Sequence, residues 1–349
     1  MKIEELHKSV SEILDRINFD KLWLGFHRFD FALYDDKNVY FKDKIINVDS
    51  RFLGNTTIDY EGENIAIWHI SNDQEVGDIN IFTSNIVHEM FHCYQKEKNE
   101  TRYSSDLILL DYPDNIENYS LKYTENIELS KGINSKESFD EFALIRIKRY
   151  NNIGKIIEQE FLVETIEGLA EYVGTMALKQ ISIEKYDARI YDYSNVITSI
   201  SKNQFDIRRI SYYIGTLFYI ALNNHGYELN KDLSNKKTFF NQLIDSYSFK
   251  PDNKQRVINH KVEDAFISYV SEKRKIIDEF LLKHNNETIY KSYICGYDPM
   301  NMIKLKDMIL CSNFIFLKNE GEDEPLFIKG PILLRLNHNS PNKVRSYIS

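Results

Sequence analysis

Residues 78–98 read Asp-Ile-Asn-Ile-Phe-Thr-Ser-Asn-Ile-Val-His-Glu-Met-Phe-His-Cys-Tyr-Gln-Lys-Glu-Lys, and the pentapeptide His88-Glu89-Met90-Phe91-His92 within them decides how the chain is read. Residues four apart on a helix differ by only about 40° in direction, because each residue turns about 100°. The two imidazoles therefore share a face and can close on one tetrahedral Zn2+ at about 2.0–2.1 Å. Glu89 is turned about 100° from His88. From there its carboxylate reaches water beside the metal rather than the metal itself, which suits a general base. The motif needs a strand, a cap and then a helix. Asp78 to Phe82 alternates polar and apolar residues and predicts a short strand, with Thr83-Ser84-Asn85 as N-cap residues. Ile86, Val87, Met90, Phe91 and Tyr94 then recur at helical spacing and leave His88 and His92 at the boundary of the apolar face.

A catalytic zinc takes three protein ligands and keeps its fourth position for water or substrate. No third histidine follows at short spacing, so the third ligand must come from further along. The best source is the helix-like stretch around Glu164-Thr-Ile-Glu167-Gly168-Leu-Ala170-Glu171-Tyr172. Ile166, Leu169, Ala170, Val173 and Met176 form its apolar side, while Glu160, Glu164, Glu167 and Glu171 stack along one stripe. Like charges one turn apart repel mildly. Gly168 costs a helix interior about 1 kcal/mol relative to Ala. A dication above the stripe and a close neighbour at Gly168 would account for both. On spacing alone, Glu164, Glu167 and Glu171 all remain open as the third ligand.

Together, His88-Glu89-x-x-His92 and a later Glu167-Gly168-x-Ala170-x-Tyr172 resemble the gluzincin metallopeptidases. The similarity is greatest to the branch whose second helix reads E-G-x-A, the M1-type aminopeptidases and their relatives. The resemblance implies a zinc peptidase with one Zn2+ per chain, held by His88, His92 and Glu167, with Glu89 as base. Glu171, one turn beyond Glu167, is placed to accept the free N–H of a ligating histidine. The interval of 75 residues from His92 to Glu167 exceeds the family's usual one, so residues 99–155 are expected to loop out as an insertion. Tyr212-Tyr213-Ile214-Gly215 is similar to the family's Y-x-x-G helix. That likeness implies that the Tyr212 hydroxyl stabilises the oxyanion, with Tyr213 or His225 as substitutes. Gly62-Glu63-Asn64 is similar to the family's G-x-M-E-N without its Met, which would make Glu63 an anchor for a substrate amine. A hairpin turn at Glu61-Gly62-Glu63-Asn64 explains the same residues more simply. The following strand, Ile65 to Ile70, is expected as an edge strand that pairs with extended peptide.

Composition sets the frame. The chain has 349 residues, 42% of them hydrophobic, enough for a sizeable core, and its 6 Pro and 13 Gly form no linker or low-complexity tract. A net charge of −9 argues against nucleic acid as a partner, which calls for clustered Lys and Arg. Lys148-Arg149 and Arg208-Arg209 are flanked by apolar residues and read as helix faces. The longest apolar run, Ile210 to Leu222, is too short to span a bilayer and predicts a buried helix, so no membrane association is expected. The amino terminus reads as an amphipathic helix rather than a signal peptide. Cys93, Cys295 and Cys311 show no pairing pattern and are expected as reduced thiols, Cys93 pointing off the metal face, which fits a cytoplasmic location.

The expected fold class is α+β: a zincin-like sheet-plus-helix lobe against a mainly helical lobe, with a cleft between them and a small β-rich C-terminal unit. The parts are residues 1–98, ending in the metal helix; 99–285, carrying the third ligand; and 286–349. Helices are expected near 2–17, 138–150, 155–180, 205–223 and 258–284, with an irregular acidic stretch from Asp106 to Ser138. The leading functional expectation is hydrolysis of short peptides by zinc-activated water. The alternatives are a zinc-assisted hydrolase of a non-peptide amide or ester, and a non-catalytic metal-binding module.

Overall fold

The computed structural model describes residues 2–70, 76–249, 258–319, 321–322, 324–337 and 340–349. The elements begin with α1 (Ile3–Leu14), α2 (Phe19–Leu22), β1 (Phe31–Tyr34), β2 (Asn38–Phe41), β3 (Lys44–Asn47), β4 (Thr56–Tyr60), β5 (Glu63–His69) and α3 (Ile79–Glu97). The helical middle comprises α4 (Asp106–Leu109), α5 (Ile116–Gly132), α6 (Lys136–Ile153), α7 (Glu158–Ile181), α8 (Ile183–Thr198), α9 (Ile207–Asn224), α10 (Phe239–Ser246) and α11 (His260–Lys283). The last part is all strand: β6 (Glu287–Tyr297), β7 (Met302–Leu305), β8 (Met308–Cys311), β9 (Phe314–Lys318), β10 (Leu326–Lys329), β11 (Ile332–Leu336) and β12 (Lys343–Ile348). The chain is thus mixed α/β with two separate sheets.

The first sheet has the order β3-β2-β1-β5-β4, with β1 and β5 parallel and the other neighbours antiparallel. β4 and β5 are joined through Glu61 and Gly62, both with positive φ (56° and 85°), as a tight two-residue hairpin requires. β5 is not the expected edge strand. It pairs with β1 on one side and β4 on the other, and β4 forms the edge. The reason is visible in its middle, where Ile65, Ala66 and Ile67 are all buried, as a strand covered on both faces demands.

α3 corrects a second expectation. Asp78 to Phe82 is not a strand, and Thr83-Ser84-Asn85 is not the cap. The helix starts at Ile79, capped by the Asp78 carboxylate, which accepts from the Asn80 and Ile81 amides at 2.9 and 3.2 Å. Thr83 and Ser84 instead donate back to the Ile79 and Ile81 carbonyls, as mid-helix hydroxyls do. Five alternating residues could not reveal the period once an Asp cap stood in front of them.

The stretch from Asp106 to Ser138 is not irregular: it contains α4 and the 17-residue α5. Its buried side carries Lys122, Glu125 and Asn126 among the apolar residues, so no clean helical stripe shows in the sequence. One continuous apolar core runs from Leu6 through Met90 and Phe91 of α3, Leu169 and Val173 of α7 and Leu217 of α9 to Leu243. Residues 1–98 and 99–285 therefore share a core. The second sheet, β10-β9-β6-β12-β11-β8-β7, has its own core around Ile309, Ile315 and Leu334, into which Leu107 of α4 inserts. Ile277 and Phe280 of α11 join Leu310, Leu333 and Ile348 in a further cluster.

α7 lies between α3 and α9, and two glycines let it approach both. A Cβ on Gly174 would stand 2.6 Å from the Ser84 carbonyl oxygen of α3. A Cβ on Gly168 would stand 2.6 Å from the Gly215 Cα of α9. Among the described residues no helix is long and apolar enough to cross a membrane.

Candidate metal centre

His88 and His92 project from α3 and Glu167 from α7, and their side chains meet. His92 Nε2 lies 3.1 Å from His88 Nε2 and 3.1 Å from Glu167 Oε2. His88 Nε2 lies 3.7 Å from the same Glu167 oxygen. The circle through these three atoms has a radius of about 1.9 Å, so a point about 2.0–2.1 Å from each lies just off their plane, at zinc-to-ligand distance. The three residues could hold a metal ion. The donor set, two imidazole nitrogens and one carboxylate oxygen, fits a divalent transition ion with an open position. The His92 and Glu167 side chains are 14% and 16% exposed, so the centre remains reachable from solvent.

Each histidine is oriented from behind. His88 Nδ1 is 2.9 Å from Glu171 Oε2, and Glu171 is in turn bonded by the Tyr193 hydroxyl and lies 3.6 Å from Arg189 Nη1. Burial pushes the Glu171 carboxyl up, but the bond to His88 and the charges of His88 and Arg189 outweigh it and hold the pKa at about 2. His92 Nδ1 is 2.7 Å from Gln95 Oε1, while the Gln95 amide nitrogen donates to the Ile166 carbonyl at 3.0 Å. With that amide so placed, Gln95 accepts from Nδ1 and the Nε2 lone pair of His92 is left facing inward. Gln95, fully buried, was legible at i+3 from His92 on the same helix. Tyr193 and Arg189 carried no signal, because only the packing of α8 brings them to Glu171.

Glu89 is 8% exposed, and burial raises its pKa against the lowering pull of His88 and His92. No described residue hydrogen-bonds its carboxylate, which leaves it available to a water. The Tyr212 ring lies parallel to His88, centroids 5.9 Å apart at 6°. Its hydroxyl lies 3.5 Å from Arg208 Nη2, and burial above all, with the nearby Glu167 charge, keeps it protonated. Tyr213 packs on Tyr193 instead, at 4.6 Å between centroids. His225 sits at the end of α9, its Nε2 2.6 Å from the Gly132 carbonyl. Glu63 pairs with Lys42 at 2.7 Å and is not joined to the metal-facing residues.

The acidic stripe on α7 serves two purposes. Glu167 and Glu171 turn to the histidines, but Glu160 and Glu164 enter a buried ionic cluster. Arg146 Nη2 binds Glu164 at 2.9 Å and Glu125 at 2.7 Å, and Arg149 Nη1 binds Glu125 at 2.7 Å. Lys122 and Arg149 both reach Glu160. Three acids thus face three bases, all essentially without exposure. The repulsion along the first half of the stripe is therefore offset by α5 and α6, not by a dication, and Glu164 points to Arg146. Arg149, expected on a helix face, is wholly buried.

Arg208, read from the sequence as part of a helix face, joins the same centre. Its Nη2 donates to Glu167 Oε1 at 2.8 Å and Nη1 pairs with Asp106. Burial first opposes the charged Glu167, and His92 and Arg208 reverse that effect, holding its carboxyl well below the ordinary range. Cys93 points away from the centre, to Thr57 Oγ1 at 3.0 Å, and all three cysteines are free thiols. No protein-family description, curated protein or solved structure matches this chain.

Proposed function

We propose that the protein is a zinc-dependent peptidase of gluzincin type, with a zincin-like arrangement of its metal helix α3 beside the first sheet. The observation that carries this reading is the convergence of His88, His92 and Glu167, with Glu89 and Tyr212 on the same centre. When bound, zinc acts as a Lewis acid toward water and toward a substrate carbonyl. Glu89 takes the proton of the attacking water, its carboxylate standing on the helix turn between His88 and His92 and largely shielded from bulk solvent. That proton is then available for the leaving amine. The Tyr212 hydroxyl, protonated by virtue of burial, donates to the carbonyl oxygen as it gains charge. Glu171 and Gln95 keep the histidines turned inward.

Restricted access favours short peptides over folded proteins, since His88 and Glu89 are 7% and 8% exposed. The test is digestion of a diverse peptide library by zinc-loaded protein, with the products read by mass spectrometry. Cleavage that a chelator abolishes is expected. Intact peptides in the presence of stoichiometric zinc would overturn the peptidase reading and leave hydrolysis of a non-peptide amide or ester. Comparing a free-amine peptide with its N-acetylated twin decides whether trimming begins at the amino terminus.

A further inference from the structure

Glu167 has two oxygens with two different partners. Oε2 faces His88 and His92, while Oε1 accepts from Arg208 Nη2 at 2.8 Å. The same Nη2 lies 3.5 Å from the Tyr212 hydroxyl, one turn further along α9. The other arm of the guanidinium pairs with Asp106 at the start of α4. The Tyr297 side chain, on β6 of the second sheet, stands beside Asp106, whose charge adds to burial in raising the Tyr297 pKa, and Leu107, the next residue of α4, inserts into that sheet's core. Arg208 and Asp106 are each 14% exposed, and Arg208 Nε is buried without a partner among the described residues, so the guanidinium is held by its two terminal nitrogens. A relay thus runs from the C-terminal sheet, through Asp106 and Arg208, to the carboxylate that faces the histidines.

We infer that Arg208 is a positioning residue that makes Glu167 a one-oxygen ligand and sets the place of the Tyr212 hydroxyl, with Asp106 and Tyr297 fixing Arg208 from the second sheet. The inference rests on the metal reading of the centre. A carboxylate whose two oxygens are both free can swing onto a cation with both, and would then fill the position that substrate needs. A guanidinium fork opposes this because it binds carboxylate oxygens directionally and stays charged at every relevant pH. Lysine offers a point charge instead, and can serve Asp106 or Glu167 but not both in the same geometry.

The test uses full-length protein loaded with Zn2+ or Co2+ and compares wild type, Arg208→Met, Arg208→Lys, Asp106→Asn and Tyr297→Phe. Zinc affinity is read by competition with a chromophoric chelator, and coordination number by the visible absorption of the Co2+ form. Arg208→Met should weaken zinc binding about 10–100-fold, the usual cost of losing a group that orients a ligand. Its Co2+ bands should weaken as Glu167 adds its second oxygen. Arg208→Lys should fall between, and Asp106→Asn and Tyr297→Phe should shift the spectrum the same way by less. With peptide substrate, kcat should fall more than KM rises. An Arg208→Met protein with a lower Tm but unchanged zinc affinity and Co2+ spectrum would overturn the proposal while leaving the metal reading intact. If Arg208→Met does not fold, unchanged spectra in Asp106→Asn and Tyr297→Phe overturn it equally. Wild-type protein that binds no zinc would overturn both.

Discussion

Gly168 on α7 and Gly215 on α9 touch backbone to backbone: a Cβ on either would stand 2.6 Å from the Cα of the other. Glu167 precedes Gly168, and Tyr212 lies three residues before Gly215, so this one crossing sets the candidate third ligand against the candidate oxyanion donor. Gly168→Ala should therefore destabilise the protein and loosen zinc together. Overpacking costs about 1–3 kcal/mol and the facing atoms are backbone that cannot rotate away. The better helix propensity of Ala returns at most about 1 kcal/mol. Thermal melts with and without zinc check this, and a variant as stable as wild type would contradict it.

The ligand assignment separates neighbours on one helix. His88→Ala and Glu167→Ala should each lose most bound zinc by metal analysis. Glu164→Ala should keep full zinc stoichiometry but unfold more easily, by about 3–5 kcal/mol, because the fully buried Arg146 loses a partner. Zinc loss in Glu164→Ala with retention in Glu167→Ala would reverse the assignment.

Glu89→Gln should retain zinc and fold while losing hydrolysis, because an amide cannot take the proton from water. Removing a general base costs about 10²–10⁴ in rate. Turnover within a few-fold of wild type would remove Glu89 from the mechanism.

Tyr212→Phe should lower kcat about 10²–10³-fold with little change in KM, since the hydroxyl bonds the developing oxyanion better than the ground-state carbonyl. Tyr213→Phe should change kcat little, its ring being packed on Tyr193. The opposite ranking would move the role.

The fall of stability with rising pH expected of metal-free protein should flatten in zinc-loaded protein. Burial lowers the His88 pKa, but Glu167 and Glu171 outweigh it and lift the imidazole from 6.5 to about 10. A raised folded pKa contributes stability that is full below 6.5 and disappears as pH rises through about 10. Glu171, lowered from 4.5 to about 2, contributes stability that is full above 4.5 and disappears as pH falls toward 2. Metal-free wild type should thus lose stability between about pH 7 and 10 relative to His88→Gln. Zinc must displace the His88 proton, so its affinity should rise about tenfold per pH unit over that window. A zinc affinity independent of pH there would contradict the protonated state.

Local periodicity alone reaches a good part of this protein. The spacing of His88 and His92 puts two imidazoles on one face, and the apolar run from Ile210 to Leu222 lies within the buried helix α9. The glycine at 168 signals a close neighbour, because a helix tolerates it only for a reason, though not which neighbour. What a helix faces is another matter. Glu160, Glu164, Glu167 and Glu171 share one stripe by geometry, and nothing along α7 distinguishes the first pair from the second. The packing of α5 and α6 commits Glu160 and Glu164 to Lys122, Arg146 and Arg149, and the crossing with α3 at Gly174 turns Glu167 and Glu171 to the histidines. The helix in 116–132 was hidden for the same reason, since its inward side carries charges whose partners lie on other helices. Arg208 became part of the site only through a contact across 41 residues of sequence. Side-chain direction follows from the turn of a single helix, whereas the partner of a buried charge is decided by which helices the apolar core draws together.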